Sequence, residues 1–171
     1  MAGTQNAFME HALVGGLHKF WINGQLAGEV AFSAAVAGAY GVPTILVTGD
    51  KSTCKEATAC IAGIHTFSTK DAFGKYMGKV LHPSETGPGI EAAAQTALSG
   101  VGGIDPYRLS GSTTMRLEFR EAEEADLPAQ MAGVKRLDGY TVEWSRADFL
   151  SAHDVALTVF SLSQQGRRSG K

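Results

Sequence analysis

An imidazole and a carboxylate, those of His11 and Glu29, stand near the beginning of this sequence, where the local fold could bring them together. Between them, apolar segments flank Asn23-Gly24, and both of these residues tolerate the positive φ angles of a two-residue hairpin turn. Such a turn returns the chain alongside itself, so His11 in a loop and Glu29 at a helix start are predicted to face one pocket. A metal hydrolase needs a proton shuttle and an oxygen ligand, which these side chains can supply. Two residues alone do not complete a zinc site.

The composition is that of a globular protein with one substantial core. The chain has 171 residues, of which 44% are hydrophobic and 19% charged, and its net charge is −2. This balance gives no electrostatic basis for binding nucleic acid or an anionic membrane surface. No apolar run reaches the roughly 18–20 residues of a bilayer span, and the first residues lack the features of a signal peptide. We therefore expect a cytoplasmic protein.

The two cysteines, Cys54 and Cys60, fall within one predicted helix. At this separation they lie on different helix faces, about 9 Å apart along the axis, which is unfavourable for a disulfide. The spacing is also not that of a Cys-x-x-Cys metal or redox motif. Both are predicted to be small buried thiols in a reducing compartment.

Local patterns predict alternating helices and strands in the first part of the chain. Residues 28–40 are rich in alanine and favour a helix that Gly41 ends. Residues 44–48 form a short β-branched run typical of a buried parallel strand, and Asp50 is placed to cap the next helix. The other elements predicted here are a strand over 64–68 and a helix over 89–98.

The second part of the chain shows a different pattern. Residues 113–119 alternate between apolar and polar types, which predicts a half-buried strand. Residues 122–131 favour a helix, and Asp138-Gly139 is typical of the turn in a second hairpin. Ser145 is predicted to cap the last helix.

Together these patterns predict an α/β fold, with a three-layer mixed sheet and helices, plus a smaller α+β C-terminal part. We expect residues 1–105 to form the C-terminal portion of an α/β catalytic domain. Residues 106–165 are expected to form the smaller region, and 166–171 a flexible tail.

Several short strings carry more specific information. They are Met1-Ala-Gly-Thr, Phe8-Met9-Glu10-His11, Trp21-Ile22-Asn23-Gly24, Gly28-Glu29, Val47-Thr48-Gly49-Asp50 and Leu81-His82-Pro83-Ser84. In these strings the chain resembles the DppA-type zinc D-aminopeptidase family, whose members are α/β metallopeptidases. The similarity extends to the closing helix near Phe160, so it covers nearly the whole chain.

The resemblance implies roles for both residues of the opening pair. His11 matches the family's catalytic histidine, outside the metal shell, and Glu29 matches a carboxylate ligand of its two-zinc centre. The family's other ligands come from an Asp-x-Glu-Gly motif and from two histidines that precede the Met-Ala-Gly-Thr region. No Asp-x-Glu-Gly occurs here, so the chain resembles only the C-terminal two-thirds of a member. The remaining histidines do not fall at matching positions; they are His18, His65, His82 and His153.

The implied function is that of a D-aminopeptidase-like metallohydrolase, which releases N-terminal D-amino acids from short peptides and assembles into homo-oligomeric rings. Because a catalytic zinc site needs about three protein ligands, Glu29 alone is not expected to hold zinc. The chain is therefore expected to be incomplete and inactive or weakly active. A truncated gene, a start codon assigned too late, or one piece of a split protein would each explain this. The alternative is a non-catalytic remnant that serves as a binding or oligomerisation module.

Simpler interpretations exist for each of these residues. Without the resemblance, His11 would be a surface loop histidine, and Glu29 a carboxylate favoured by the helix dipole. Asp50 is expected to be a helix cap, with a place in the substrate pocket as the minor alternative. The acidic cluster over 118–126 could suggest cation binding, but a solvated helix start explains it better.

Overall fold

The computed structural model describes residues 1–169, with side chains described through Arg167, and its internal contacts divide the chain into two compact units. Unit 1 comprises Met1, Gly3–Glu10 and Val30–Arg108, and unit 2 comprises Ala2, His11–Glu29 and the residues from Leu109 onward. The helices are α1 (Glu29–Ala39), α2 (Lys51–Cys60), α3 (Pro83–Ser99), α4 (Glu123–Asp126) and α5 (Phe149–Ser169). The strands are β1 (Leu17–Ile22), β2 (Gln25–Leu26), β3 (Leu46–Asp50), β4 (His65–Gly74), β5 (Met77–Val80), β6 (Thr113–Phe119), β7 (Lys135–Arg136) and β8 (Thr141–Arg146).

Unit 2 is an antiparallel sheet covered by a helix. Its strand order is β2-β1-β6-β8-β7, and the alternation of β6 places Met115, Leu117 and Phe119 in the core, each no more than 2% exposed. Helix α5 packs on β6 and β8. The Trp144 Nε1–H donates to the carbonyl of Ala152 on this helix at 3.0 Å, which satisfies the polar edge of a buried indole.

Two hairpins join neighbouring strands of this sheet. The first turns at Asn23-Gly24, where Trp21 lies opposite Leu26 and both turn residues have positive φ angles of 50° and 79°. The second joins β7 to β8, and the Asp138 carboxylate accepts the Tyr140 N–H at 2.8 Å within its turn. Both hairpins lie where the turn residues predicted them.

Unit 1 is built around a mixed sheet of order β3-β4-β5. Strands β3 and β4 are parallel and β4 and β5 antiparallel, while α2 and α3 both pack on β3 and β4. The predicted parallel pairing of β3 is confirmed. The strand covers Leu46–Asp50 rather than 44–48, and it is mostly only half-buried because it lies at an edge of the described sheet. The core of this unit contains Ala34, Ala57, Ile61, Ile64 and Ile104.

The helix ends in unit 1 follow from single residues. Gly41, at φ 77°, ends α1, where the N–H groups of Gly41 and Val42 donate to the carbonyls of Gly38 and Ala37. This is the Schellman arrangement, which glycine favours because it lacks a Cβ. Asp50 caps α2 by accepting the Thr53 N–H at 2.7 Å.

The mixed α/β architecture predicted from the sequence is confirmed, with two sheets and five α-helices among residues 1–169. Three details differ from the prediction. Strand β4 runs beyond residue 68 to Gly74, and β5, which was not predicted, pairs with it. Helix α3 begins at Pro83 rather than residue 89, because His82 caps it and proline is favourable at the first position.

The C-terminal part also differs at two helix boundaries. The helix predicted over 122–131 was too long: α4 ends at Asp126 and a 3-10 turn follows at Pro128–Gln130, because proline lacks the N–H that would continue the helix. Ser145 does not cap the last helix, since it pairs with Thr114 within the sheet. Asp148 is placed at the start of α5 instead and accepts the Ser151 N–H at 2.8 Å.

The contacts divide the chain differently from the predicted domains. Unit 1 ends at Arg108, close to the predicted boundary at 105, but residues 11–29 group with the C-terminal part because β1 pairs with β6. Residues 166–169 of the predicted tail continue α5, and Gly170 and Lys171 lie outside the described residues. Among the helices described, none is long and apolar enough to cross a membrane.

Candidate functional site

The side chains of His11 and Glu29, which the sequence predicted to face one pocket, lie close together. The His11 Nε2 atom lies 3.5 Å from the Glu29 Oε1 atom, and both residues belong to unit 2. The two side chains are 70% and 46% exposed, respectively, so the pair is accessible to a small molecule from solvent. An imidazole beside a carboxylate can hold and transfer a proton while the carboxylate orients the ring.

The first hairpin and the start of α1 place Glu29. After the turn at Asn23-Gly24, the Ala27 N–H donates to the Phe20 carbonyl at 2.8 Å, which extends the pairing beyond β2. Glu29 then begins α1, where the partial positive charge of the helix N-terminus favours a carboxylate. The turn at Asn23-Gly24, whose conformation these two residues favour, therefore helps to position Glu29.

The loop preceding His11 is held within unit 1 by several hydrogen bonds. The Phe8 N–H donates to Asp50 Oδ2 at 2.7 Å, and the Met9 N–H donates to the Lys75 carbonyl at 2.6 Å. Lys75 Nζ in turn donates to Glu10 Oε1 at 2.8 Å. Residues 8–10 thus have a defined path immediately before the candidate proton-transferring residue.

Met9 adopts a backbone conformation that its sequence does not reveal. Its φ angle is 53°, in the left-handed region that non-glycine residues enter at a cost of about 1–2 kcal/mol. Such backbone strain is concentrated at functional sites in proteins. Sequence reasoning missed both this feature and the Lys75–Glu10 ion pair, because neither leaves a local pattern.

Asp50 acts as an anchor for backbone groups. It is 5% exposed, and its carboxylate accepts the N–H groups of Thr53 and Phe8. Burial opposes ionisation, but these hydrogen bonds, one from the Thr53 hydroxyl and the charge of Lys70 together lower the pKa of Asp50 below its ordinary value. The expectation that Asp50 is a helix cap is confirmed.

Comparison with known proteins identifies the family. A family model described as D-aminopeptidase matches residues 1–158. The chain belongs to the D-aminopeptidase family. A D-aminopeptidase of Bacillus subtilis (strain 168) is 28% identical over 158 residues, which are 92% of this chain and 58% of that protein.

A solved structure of this D-aminopeptidase family resembles the fold closely. It is described as the Zn-dependent D-aminopeptidase DppA from Bacillus subtilis, a self-compartmentalizing protease. The TM-score is 0.91 at 28% identity, and the match covers 96% of this chain and 60% of the solved chain. This chain therefore spans about three-fifths of the length of the relatives it matches.

The zinc that the D-aminopeptidase family implies does not fit the residues described. Nowhere in residues 1–169 do three His, Cys, Asp or Glu side chains converge in a way that could hold a metal ion. Glu29 supplies one carboxylate, and the neighbouring side chain with which it is paired is His11. Because a catalytic zinc site generally needs about three protein ligands, these two residues are too few.

The other histidines that the sequence contains have identifiable surroundings. His18 Nδ1 lies 2.7 Å from Glu118 Oε1 on the neighbouring strand. His82 Nδ1 accepts the Ser84 N–H at 3.3 Å and so caps α3. Neither contact brings a histidine to the Glu29 carboxylate.

The acidic cluster over 118–126 was expected to be a solvated helix start, but one of its carboxylates is buried. Glu124 is 2% exposed, and its carboxylate accepts the Glu121 N–H at 3.2 Å and lies 3.8 Å from Arg167. Gly16 provides the space for this carboxylate, since an added Cβ would overlap Glu124 Oε1. Glu124 therefore has a structural role inside unit 2.

Proposed function

We propose that this chain carries the His11–Glu29 part of a D-aminopeptidase, an enzyme that releases N-terminal D-amino acids from short peptides. The observation that supports this most strongly is the 3.5 Å approach of His11 to Glu29 in a chain whose residues 1–158 match the family. We further propose that the enzyme acts in the cytoplasm.

In this proposal His11 is the proton-transferring residue. Peptide hydrolysis adds water across the C–N bond, and the departing amine must gain a proton. An imidazolium at His11 can donate that proton, or can donate a hydrogen bond to the oxyanion of the tetrahedral intermediate. In the described contacts, Glu29 Oε1 lies 3.5 Å from His11 Nε2, where the carboxylate can orient the imidazole ring.

The resemblance assigns Glu29 a second role, as a ligand of zinc. We propose that Glu29 is a metal ligand only when further donors accompany it, because a single carboxylate does not hold catalytic zinc. The 171-residue chain by itself is therefore proposed to bind zinc poorly and to be inactive or weakly active.

Zinc content and hydrolysis of D-Ala-D-Ala, measured together, test this proposal. Both should be determined for this chain and for a version extended upstream through any in-frame coding sequence. Metal and activity that appear only in the extended form would support an enzyme that is incomplete as this chain. Robust, chelator-sensitive activity of the 171-residue chain would contradict the proposed weakness.

Single substitutions separate the two roles in whichever form is active. His11→Ala should lower kcat by about 10²–10⁴-fold and leave the zinc content unchanged, because it removes a general acid without removing a ligand. Glu29→Gln should lower the zinc content as well as the activity. His18→Asn is the matched control, since its imidazole contacts Glu118 rather than Glu29, and it should leave both quantities unchanged.

The second candidate is a non-catalytic remnant that binds a partner or oligomerises. The description of the DppA relative as self-compartmentalizing favours testing self-association in this chain. We propose a homo-oligomer, and the molar mass from light scattering coupled to size-exclusion chromatography checks it. An oligomer that lacks metal and activity in both the short and the extended form would favour the remnant over the enzyme.

A further inference from the structure

The hairpin that joins β4 to β5 exposes a group of large apolar side chains at its tip. Phe73, Tyr76 and Met77 are 57%, 77% and 63% exposed, respectively. No other part of the described chain exposes three large hydrophobic side chains within five consecutive residues. Single exposed hydrophobic residues are normal on proteins, whereas a group of them marks an interaction surface. We call these three residues the hairpin patch.

Strand register holds the hairpin patch at one turn. Gly74 at the end of β4 lies opposite Met77 at the start of β5, so Lys75 and Tyr76 form the turn between them. The register shifts between Ala72 and Gly74, which places a bulge at Phe73. A bulge bends the strand and redirects the side chain it carries. All of these residues belong to unit 1.

The charge at the tip is compensated within the chain. Lys75 is the one charged residue among residues 73–77, and its Nζ atom donates to Glu10 Oε1 at 2.8 Å. The Glu10 side chain is largely buried. Two hairpin tips that approach each other therefore do not bring two uncompensated positive charges together. The tip suits an apolar partner surface better than a charged one.

Contact at this hairpin is expected to use side chains and not to extend the sheet. Strand β5 is an edge of its sheet among the described strands, but it has only four residues and carries Lys79. Short edge strands that contain lysine resist the addition of another strand. The apolar side chains of the tip remain as the surface that a partner can cover.

The area of the hairpin patch fits contact with a second copy. A large aromatic side chain buries about 150–250 Å², so at these exposures the patch offers on the order of 400 Å². In a two-fold contact one patch serves both sides, which gives on the order of 800 Å² in total before the surrounding residues are counted. This lies just below the roughly 1,200 Å² at which stable, specific interfaces begin. We therefore expect weak, concentration-dependent association.

We propose that the hairpin patch is the contact through which two copies of this chain associate. This inference rests on the homo-oligomer proposed above and deepens it by naming the surface used. The same hairpin supports the loop that precedes His11, because the Lys75 carbonyl accepts the Met9 N–H at 2.6 Å. Contact with a second copy thus falls on the element that holds this loop.

Sedimentation equilibrium of the 171-residue protein, over a range of concentrations, measures the dissociation constant of the dimer. Tyr76→Ser and Met77→Ser should each raise it at least fivefold. Tyr40→Ser and Leu98→Ser are matched controls, because these side chains are 72% and 63% exposed at other positions of unit 1. Each control should change the dissociation constant less than twofold.

Two further measurements locate the contact and identify its chemistry. Amide hydrogen exchange over residues 73–77 should slow as the protein concentration rises through the dissociation constant, and should not slow in Tyr76→Ser. The dissociation constant should change less than threefold between about 50 and 500 mM NaCl, because salt screens charge pairs and leaves apolar contacts in place.

The possible failures of this proposal are distinguishable. A monomer at every concentration would overturn both this contact and the homo-oligomer. An oligomer that the patch variants leave unchanged, or that the controls weaken equally, would overturn the contact alone. A monomer that binds neutral phosphatidylcholine vesicles, and loses this binding in Tyr76→Ser, would assign the patch to a lipid surface instead. Melting temperatures establish that each variant is folded before its association is compared.

Discussion

Individual side chains define local geometry in this protein chiefly by accepting backbone hydrogen bonds. Asp50 accepts two N–H groups, Asp148 one at the start of α5, and the Asn23 side-chain oxygen accepts the Thr114 N–H at 2.8 Å. Helix N-termini and turns leave such donors without partners, so each acceptor removes the cost of an unsatisfied group. The effects of these residues are accordingly measurable one at a time.

Replacing Asp50 by alanine should destabilise the protein by about 2–3 kcal/mol at neutral pH. The change removes the cap of α2 and leaves the Phe8 N–H without its acceptor. Urea unfolding followed by circular dichroism measures the free energy. Asp105→Ala is the control, because Asp105 is exposed and should change stability by no more than about 0.5 kcal/mol.

The contribution of Asp50 to the free energy of unfolding should also depend on pH, and the direction of the shift in its pKa determines how. The folded pKa lies below the unfolded value of 3.8, so the ionised carboxylate stabilises the fold above that pH. This stability is lost as the pH falls from there through the folded pKa. The difference in unfolding free energy between the protein and Asp50→Ala should therefore shrink on acidification. A constant difference down to about pH 2.5 would contradict the lowered pKa.

Gly38→Ala tests close packing at a single helix position. Alanine is intrinsically better than glycine in a helix by about 1 kcal/mol, but a Cβ at Gly38 would overlap the Tyr107 carbonyl oxygen. We expect net destabilisation of about 1–3 kcal/mol, measured by urea unfolding. Ser33→Ala, at an exposed position of the same helix, should be neutral or slightly stabilising. Stabilisation by Gly38→Ala would show that Tyr107 moves away without cost.

Secondary-structure elements depend on their turns, and the two hairpins of unit 2 do so in different ways. At Asn23-Gly24 both residues have positive φ, whereas Gly139 in the second turn is not among the residues with positive φ. A Cβ at Gly24 or at Gly139 would meet no atom within 4 Å. The two glycines therefore differ in backbone conformation and not in available space.

Gly24→Ala should destabilise the protein by about 1–2 kcal/mol, the cost of placing an L side chain in the left-handed region. Gly139→Ala is the matched control and should be neutral or slightly stabilising, because it restricts the unfolded chain without strain. Denaturant unfolding of both variants gives the comparison. Equal effects would mean that the conformation of the first turn does not govern its stability.

At the scale of the whole molecule, contacts cluster within two units, and the natural spectroscopic probes are divided between them. Trp21 and Trp144 belong to unit 2, and Cys54 and Cys60, both free thiols, belong to unit 1. Cys54 is buried and Cys60 partly buried, and burial raises the pKa of both thiols. Tryptophan fluorescence and thiol labelling therefore report on different parts of the chain.

We expect the two units to unfold as separable steps, because each holds its own core. Gly24→Ala should shift the fluorescence transition in urea and leave the thiol-labelling transition in place. Gly38→Ala should do the reverse, since it lies in unit 1. Coincident transitions that shift together in both variants would show a single cooperative unit instead.

The parts of the fold that the sequence predicted are those that depend on neighbouring residues. Turns and helix ends depend on groups within a few positions, as at Asn23-Gly24, Gly41 and Asp50. The alternation of apolar and polar residues over 113–119 likewise predicts which face of the strand is buried. The errors arose where distant partners decided the outcome. Ser145, although of a residue type that favours helix caps, lies in strand β8, where it pairs with Thr114. The hydroxyl oxygens of the two residues are 2.7 Å apart.

Helix α3 illustrates the same limit of local reasoning. Gly87-Pro88-Gly89 has the composition of a loop, yet these residues lie inside the helix. The ring of Phe67 on β4 occupies the space where a Cβ of Gly89 would lie, so the glycine allows the helix to pack closely against the strand. Tertiary contact outweighed a local preference that the sequence displayed plainly.

The sequence by itself determined the residue types of the candidate site, the turn between them and the family to which the chain belongs. Only the tertiary structure decided that His11 Nε2 and Glu29 Oε1 lie 3.5 Å apart and that the described residues provide no three-ligand zinc site. The physical reason is the distance along the chain over which the interactions act. Turns and caps arise from forces within a few residues, whereas convergence of side chains depends on strand register, which pairs residues far apart in the chain.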